Sequence, residues 1–172
     1  MDTISIAIPE QTKSLTITCL EPVDLSIRQE LSSTPEVRIS DIPSENINQK
    51  SENGEFHLTI SGHIETDDAE IVMHIPAEMH TTVKTTSGSL GFVKIITDIE
   101  VSSSSGSITV DEFGGKSAEF SIESGDVEIT GASGNLKISV ISGDIEVSDF
   151  EGSLLCKSIS GEIKLSDVEG SS

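Results

Sequence analysis

The sequence predicts an all-β fold, a single-domain parallel β-helix or β-solenoid with coils of about 18 residues, and three observations predict it. Ser-Gly recurs at Ser87-Gly88, Ser105-Gly106, Ser124-Gly125, Ser142-Gly143 and Ser160-Gly161, in steps of 18, 19, 18 and 18 residues. Three and five residues after each serine stands an apolar pair: Leu90/Phe92, Ile108/Val110, Val127/Ile129, Ile145/Val147 and Ile163/Leu165. A second glycine, Gly115, Gly134, Gly152 or Gly170, stands ten residues after four of the serines. Self-similarity at a near-fixed period of this size marks an architecture of stacked units, each too small to bury its own apolar side.

Residues 1–80 lack the repeat but read as strands. Leu15–Cys19, Val23–Ile27, Phe56–Ile60 and Ile71–Ile75 are short, β-branched and mostly alternating. Between them Leu31–Pro35 and Asp41–Asn53 are polar and turn-forming, and the second is expected to be an exposed loop. These irregular strands are expected to form the first, longer coils and to cap one end of the stack, because a bare terminal rung presents unpaired backbone groups.

From residue 81 each repeat is two strands and two corners. The apolar pair after the serine faces one side, with Thr109, Glu128, Glu146 and Lys164 facing the other. A second strand before the serine reads Ile99/Val101/Ser103, Ala118/Phe120/Ile122, Leu136/Ile138/Val140 and Leu154/Cys156/Ser158. One corner is the Ser-Gly pair, at Gly88, Gly106, Gly125, Gly143 and Gly161; the other carries the second glycine, where a tight turn can use positive φ. Ile95, Phe113, Ala132, Phe150 and Val168 fill the approach to that second corner. Equivalent residues recurring in every coil are satisfied by parallel stacking at roughly 4.8 Å, whereas hairpins would mirror positions about a turn. Parallel crossovers favour the right hand, so a right-handed solenoid is expected. The last repeat runs through Val168 to Ser172 with no further strand or helix to cover it. Truncation from a longer protein, protection by charge, and stacking on another molecule are all open there. Lys157, Lys164 and Val168 mark the possible self-association edge of a homodimer.

Thirty acidic against ten basic residues give a net charge of −20, so phosphate backbones and anionic lipid headgroups would be repelled. The acidity is even, with 15 acids and 4 bases in residues 1–80 and 15 and 6 in residues 81–172, which suits solubility and protection of edges more than a specialised acidic arm.

The stretch Ile75-Pro76, Val83, Thr85-Thr86-Ser87-Gly88-Ser89-Leu90, followed by S-G-D-[IV]-E-[IV] at Ser124–Ile129 and Ser142–Val147, closely resembles the bacterial "putative adhesin" domains of unknown function. The resemblance covers nearly the whole chain and implies a β-solenoid with an irregular N-terminal part. It carries over no catalytic residues. Many members have a membrane or export segment. Met1–Gln11 has neither a basic n-region nor an apolar h-region, and no run of 18 apolar residues occurs. Direct membrane insertion is therefore not expected; as it stands the chain reads as cytoplasmic, and as an excised piece it would read as a cell-surface protein.

Chemistry is sparse. His57, His63, His74 and His80 follow no ligand spacing, and His57 and His74 fall on the outward phase of their strands, so all four are expected as solvated surface residues. Cys156 occupies an inward position equivalent to Ile138 and Phe120, and a disulfide to Cys19 would need distant coils to meet. G-x-S-x-G and the nucleotide-binding glycine patterns are absent, so no cofactor is expected. Asp126, Asp144 and Glu162 share one corner position in successive coils, and Asp149 and Asp167 another. Stacked carboxylates repel, which a Ca²⁺ ion would relieve. The calcium-roll nonapeptide spacing is missing, however, and Ser89 and Ser107 interrupt the column, which favours solvated turn residues. Glu128 and Glu146 stack on one outer face as the paired acids of a polysaccharide-cleaving solenoid would. Trp and Tyr are absent and the short loops leave no cleft for a sugar. The reading is thus a non-enzymatic structural or binding module, with a self-associating scaffold and, behind it, a polysaccharide-active enzyme as alternatives. The ligand or protein partner is not identified.

Overall fold

The computed structural model describes residues 3–64 and 69–171 as fifteen strands of one sheet that forms two facing walls. The first wall stacks β1 (Thr3–Ala7), β4 (Glu36–Ser40), β7 (Ala69–His74), β3 (Leu25–Glu30), β9 (Leu90–Ile95) and β11 (Ile108–Phe113). It continues through the first segments of β13 (Val127–Ser142) and β14 (Ile145–Ser160) to β15 (Ile163–Ser171). The second wall stacks β5 (Ile47–Glu52), β6 (Glu55–Ile60), β2 (Ser14–Cys19), β8 (His80–Thr85), β10 (Ile99–Ser105) and β12 (Ser117–Ser124), then the second segments of β13 and β14.

The repeat sets the register of the stack. Ile108, Val127, Ile145 and Ile163 lie in one column, and Val101, Phe120, Ile138 and Cys156 in another, always inward and always in parallel pairing. Both walls point these columns into a single core. Rungs about 4.8 Å apart leave little room for a ring above a ring. The column at the second corner accordingly alternates in size, with Ala132 between Phe113 and Phe150. Phe92 and Phe120 meet edge to face across the core, with centroids 6.3 Å apart.

The corners explain the glycines. At Gly143, φ is 143° and an added Cβ would collide with the carbonyl of Gly125 in the preceding coil. Every Ser-Gly glycine has this relation to the coil before it, so the rungs approach closely only because these side chains are missing. The second corner differs from the expectation in two ways. In β13 and β14 the strand runs straight through it, and Gly115 does not have positive φ; what excludes a Cβ there is the Thr97 carbonyl at 2.6 Å. Gly134, Gly152 and Gly170 do have the expected positive φ, and a further column, Lys94, Glu112, Gly131, Asp149 and Asp167, has φ of 50–68°. Each residue of this further column is a bulge that re-aims the next apolar residue, Ile95 to Val168, into the core.

The N-terminal part caps the stack, but its coils do not follow chain order. The coil β2–β3 lies directly against β8–β9, and the later coil β6–β7 packs outside it. Beyond that, β4 and β5, joined through a 3₁₀ turn at Ser44–Asn46, form one coil that runs antiparallel to β7 and β6. Asp41–Asn53 is therefore not a loop: it holds that turn, β5 and the start of a hairpin whose turn is Asn53-Gly54, both with positive φ. β1 adds antiparallel to β4. The junction with the repeats is held by buried Gln29, whose Oε1 accepts the backbone N–H groups of Ile96 (2.8 Å) and Thr97 (3.1 Å).

Candidate functional site

The corner acids are engaged by the backbone. Asp126 Oδ1 accepts the N–H of Asp144 at 2.8 Å, and Asp144 Oδ1 accepts the N–H of Glu162 at 2.7 Å. The same staple occurs three coils before Asp126 in the same corner column, with Asp24 Oδ1 accepting the N–H of Ser89 at 2.6 Å. The signal for it was readable: Val23-Asp24-Leu25-Ser26-Ile27 aligns with Gly125-Asp126-Val127-Glu128-Ile129. Asp98 does the equivalent work at the second corner, accepting from Lys116 (2.9 Å) and Ser117 (3.0 Å). Each carboxylate thus bonds one coil to the next, which accounts for the column without a cation. Among the described residues no group of three or more His, Cys, Asp and Glu is placed to hold a metal ion.

The histidines do not converge either. His57, half-buried, lies 3.4 Å from Glu55, while His63 and His80 are exposed on separate segments. His74 departs from the expected solvated position: only 14% of its side chain is exposed, its Nδ1 lies 3.4 Å from Glu30 Oε2, and its Nε2 is buried. His74 stands in register between Glu30 on β3 and Glu36 on β4 on the outer side of the sheet. Cys19 and Cys156 are free thiols, and burial pushes their pKa up to about 12 and about 11, which keeps both protonated and poorly nucleophilic.

Two surfaces remain. On the outer side of the first wall, Glu128 and Glu146 are in register, with Thr109 before them and Lys164 after. The second surface is the end of the stack. Ile163 and Leu165 continue the core columns in register with Ile145 and Val147, yet they are 40% and 46% exposed where the latter two are 0%. Val168 and Cys156 are half-buried beside them, and Lys157 and Lys164 are exposed on the outer sides. Leu155 and Ile159, on the outer side of the last rung of the second wall, are 61% and 68% exposed. Among the described residues nothing pairs with the free edges of β15 or of the second segment of β14. Lys157, Lys164 and Val168 thus all belong to this open coil, with Lys157 between Leu155 and Ile159 on the outer side.

The described residues form a two-walled, mainly parallel β-solenoid with corner carboxylates bonding coil to coil, which defines the class as a repeat scaffold. The chain belongs to the Toastrack DUF4097 family, whose model matches residues 5–170. Among solved structures it is similar to a putative cell adhesion protein from Clostridium sporogenes, at 10% identity over 96% of this chain and 98% of that one, with a TM-score of 0.53. It is also similar to a putative adhesin from Bacteroides fragilis, at 15% identity over 95% and 97% with a TM-score of 0.40. A putative lipid binding protein from Parabacteroides distasonis matches at 13% identity over 99% and 96%, with a TM-score of 0.37. No curated protein matches. No helix among the described residues is long and apolar enough to cross a membrane.

Proposed function

We propose that the protein is a non-catalytic binding module and that the open C-terminal coil is its binding edge. The observation that carries this reading is the exposure of Ile163 and Leu165, residues in core register that only a further layer would bury. An unpaired strand with apolar neighbours is a template for β-augmentation, in which main-chain hydrogen bonds give affinity and side-chain contacts give specificity. The corner carboxylates, which sequence alone offers as a Ca²⁺ candidate, are supported as structural groups by the hydrogen bonds that Asp126 and Asp144 accept. The paired acids Glu128 and Glu146 are exposed in register on the outer side of the first wall, and neither lines the cavity beside Thr109, Gly91 and Ser26 further along the same column.

The test is site-specific photocrosslinking in the host cell, with the reactive residue at position 165 on the edge or at 128 on the long face. Adducts at 165 are expected. Adducts at 128 alone would move the binding surface to the wall, and none at either position would overturn the binding reading. Incubation with neutral and acidic polysaccharides is expected to release no new reducing ends.

A further inference from the structure

We infer that the partner of this edge is the same coil of a second copy, related by a two-fold axis perpendicular to the stack; the inference rests on the open coil being the binding edge. Such an axis reverses both the direction of stacking and the direction of the strands. It therefore sets β15 and the second segment of β14 antiparallel to their mates on both walls at once, an isologous contact. This molecule already contains a junction of that kind. The coil β4–β5 lies antiparallel on β7 and β6, one strand on each wall, so the fold accepts an antiparallel coil on a parallel stack without distortion of the rung it covers.

Side-chain chemistry at the two ends points the same way. At the N-terminal end the inward columns finish in Gln49 opposite Leu58 and Ser51 opposite Phe56 on β5, and in Ile4 and Ile6 on β1. At the other end they finish in Leu154, Cys156 and Ser158 on β14 and in Ile163 and Leu165 on β15, and there the outer side turns apolar as well. Leu155 stands where the preceding coils have Lys137 and Glu119. The exposed Ile141, beside Ile159, extends the same patch. Charge also favours this end for contact between like molecules. Residues 153–171 carry two lysines and three acids, net −1, whereas residues 135–152 carry net −3 and residues 117–134 net −4. In a chain of net −20 the last coil thus repels a second copy less than the two coils before it.

The contact closes at two copies, because an isologous two-fold contact uses the last coil of both molecules. Its assembly should strengthen with salt, since screening removes the repulsion between two acidic bodies and leaves the apolar contact. Sedimentation equilibrium of the purified 172-residue chain over a concentration series tests it, with Leu165→Lys and Ile159→Lys as variants. Both residues are exposed in the single chain, so the variants should keep the melting temperature of the dilute wild type. The expected result is a mass that rises from one copy to two and no further, with an association constant at least tenfold lower in either variant. A wild type monomeric at every concentration overturns the inference, as does a dimer that both variants leave intact, or growth beyond two copies. A monomer that still gives crosslinks at position 165 to another protein leaves the binding edge standing and replaces the second copy with that partner.

Discussion

The two ends of the stack face the same problem, unpaired backbone on a terminal rung, and answer it in opposite ways. At the N-terminal end the edge strand β5 reads Ile-Asn-Gln-Lys-Ser-Glu, polar on both phases after Ile47, with Lys50 and Glu52 paired at 2.6 Å on its surface, while the other edge strand, β1, is five residues long with Ile4 and Ile6 inward. A charged, polar strand of six residues is a poor template for further pairing. At the C-terminal end the free segments of β14 and β15 are longer; β15 keeps Ile163 and Leu165 on the inward phase, and the second segment of β14 runs Leu154, Cys156 and Ser158 inward and adds Leu155 and Ile159 outside. Edge protection is thus a property of composition at the rung, and a repeat that continues its interior pattern to the last coil remains competent to stack.

This contrast can be sharpened by placing equivalent changes in an interior coil and in the open one. The largest effect is expected from Gly143→Ala, which drives a Cβ into the Gly125 carbonyl with coils stacked on both sides. A loss of more than about 4 kcal/mol in denaturant unfolding is expected there. Gly161→Ala makes the same collision with Gly143, but only the last coil lies beyond it, so its cost is limited to what that coil contributes. Equal losses at the two glycines would refute a loosely held last coil.

Next in size is the column at the second corner. Phe150→Ala empties a fully buried site between coils and should cost about 3–5 kcal/mol, while Val168→Ala, half-buried in the last coil, should cost less than about 1 kcal/mol. Thermal unfolding of the pair measures the difference.

The corner staple gives a smaller step. Asp144→Ala leaves the Glu162 N–H without its acceptor and should lower stability by about 1 kcal/mol, while Asp144→Asn keeps an acceptor and recovers much of it. A Ca²⁺-dependent shift of the melting temperature in the wild type, lost in both variants, would instead restore the cation reading.

The smallest effect concerns pH. Burial raises the Cys19 thiol from 9.0 to about 12, so between these values the unfolded chain loses its proton and the folded chain keeps it. Stability from this group is full below pH 9 and declines as pH rises toward 12. Cys19→Val should flatten that alkaline decline in urea unfolding, and the equivalent change at the less buried Cys156 should flatten it less.

What the sequence disclosed and what it hid follow the same division between repeat and cap. Strands from residue 90 onward were legible because a period-2 apolar pair at a fixed distance from Ser-Gly leaves one register in which all copies agree. The corner carboxylates were legible as a column. Their role was not, because a staple between coils is a backbone contact made 18 residues away. In the cap, β1 and β4 are five-residue strands with two apolar residues each, too short to stand out, and their antiparallel pairing is decided by tertiary packing. The Asn53-Gly54 pair was a readable hairpin signal that the polar stretch around it concealed. His74 was misplaced for a related reason: an alternating pattern gives the phase of a strand, but not that Glu30 and Glu36 stand in register on either side of it on the outer side of the sheet.

The most direct test of a closed end and an open end is amide hydrogen exchange by mass spectrometry on the protein diluted to its single-chain state. Peptides covering β4, β5 and β6 should be protected to a degree approaching that of β13, and those covering 153–160 and 163–170 should exchange fastest among the strands of the repeat region. Protection of the last coil equal to that of β13 in the dilute single chain would contradict the account.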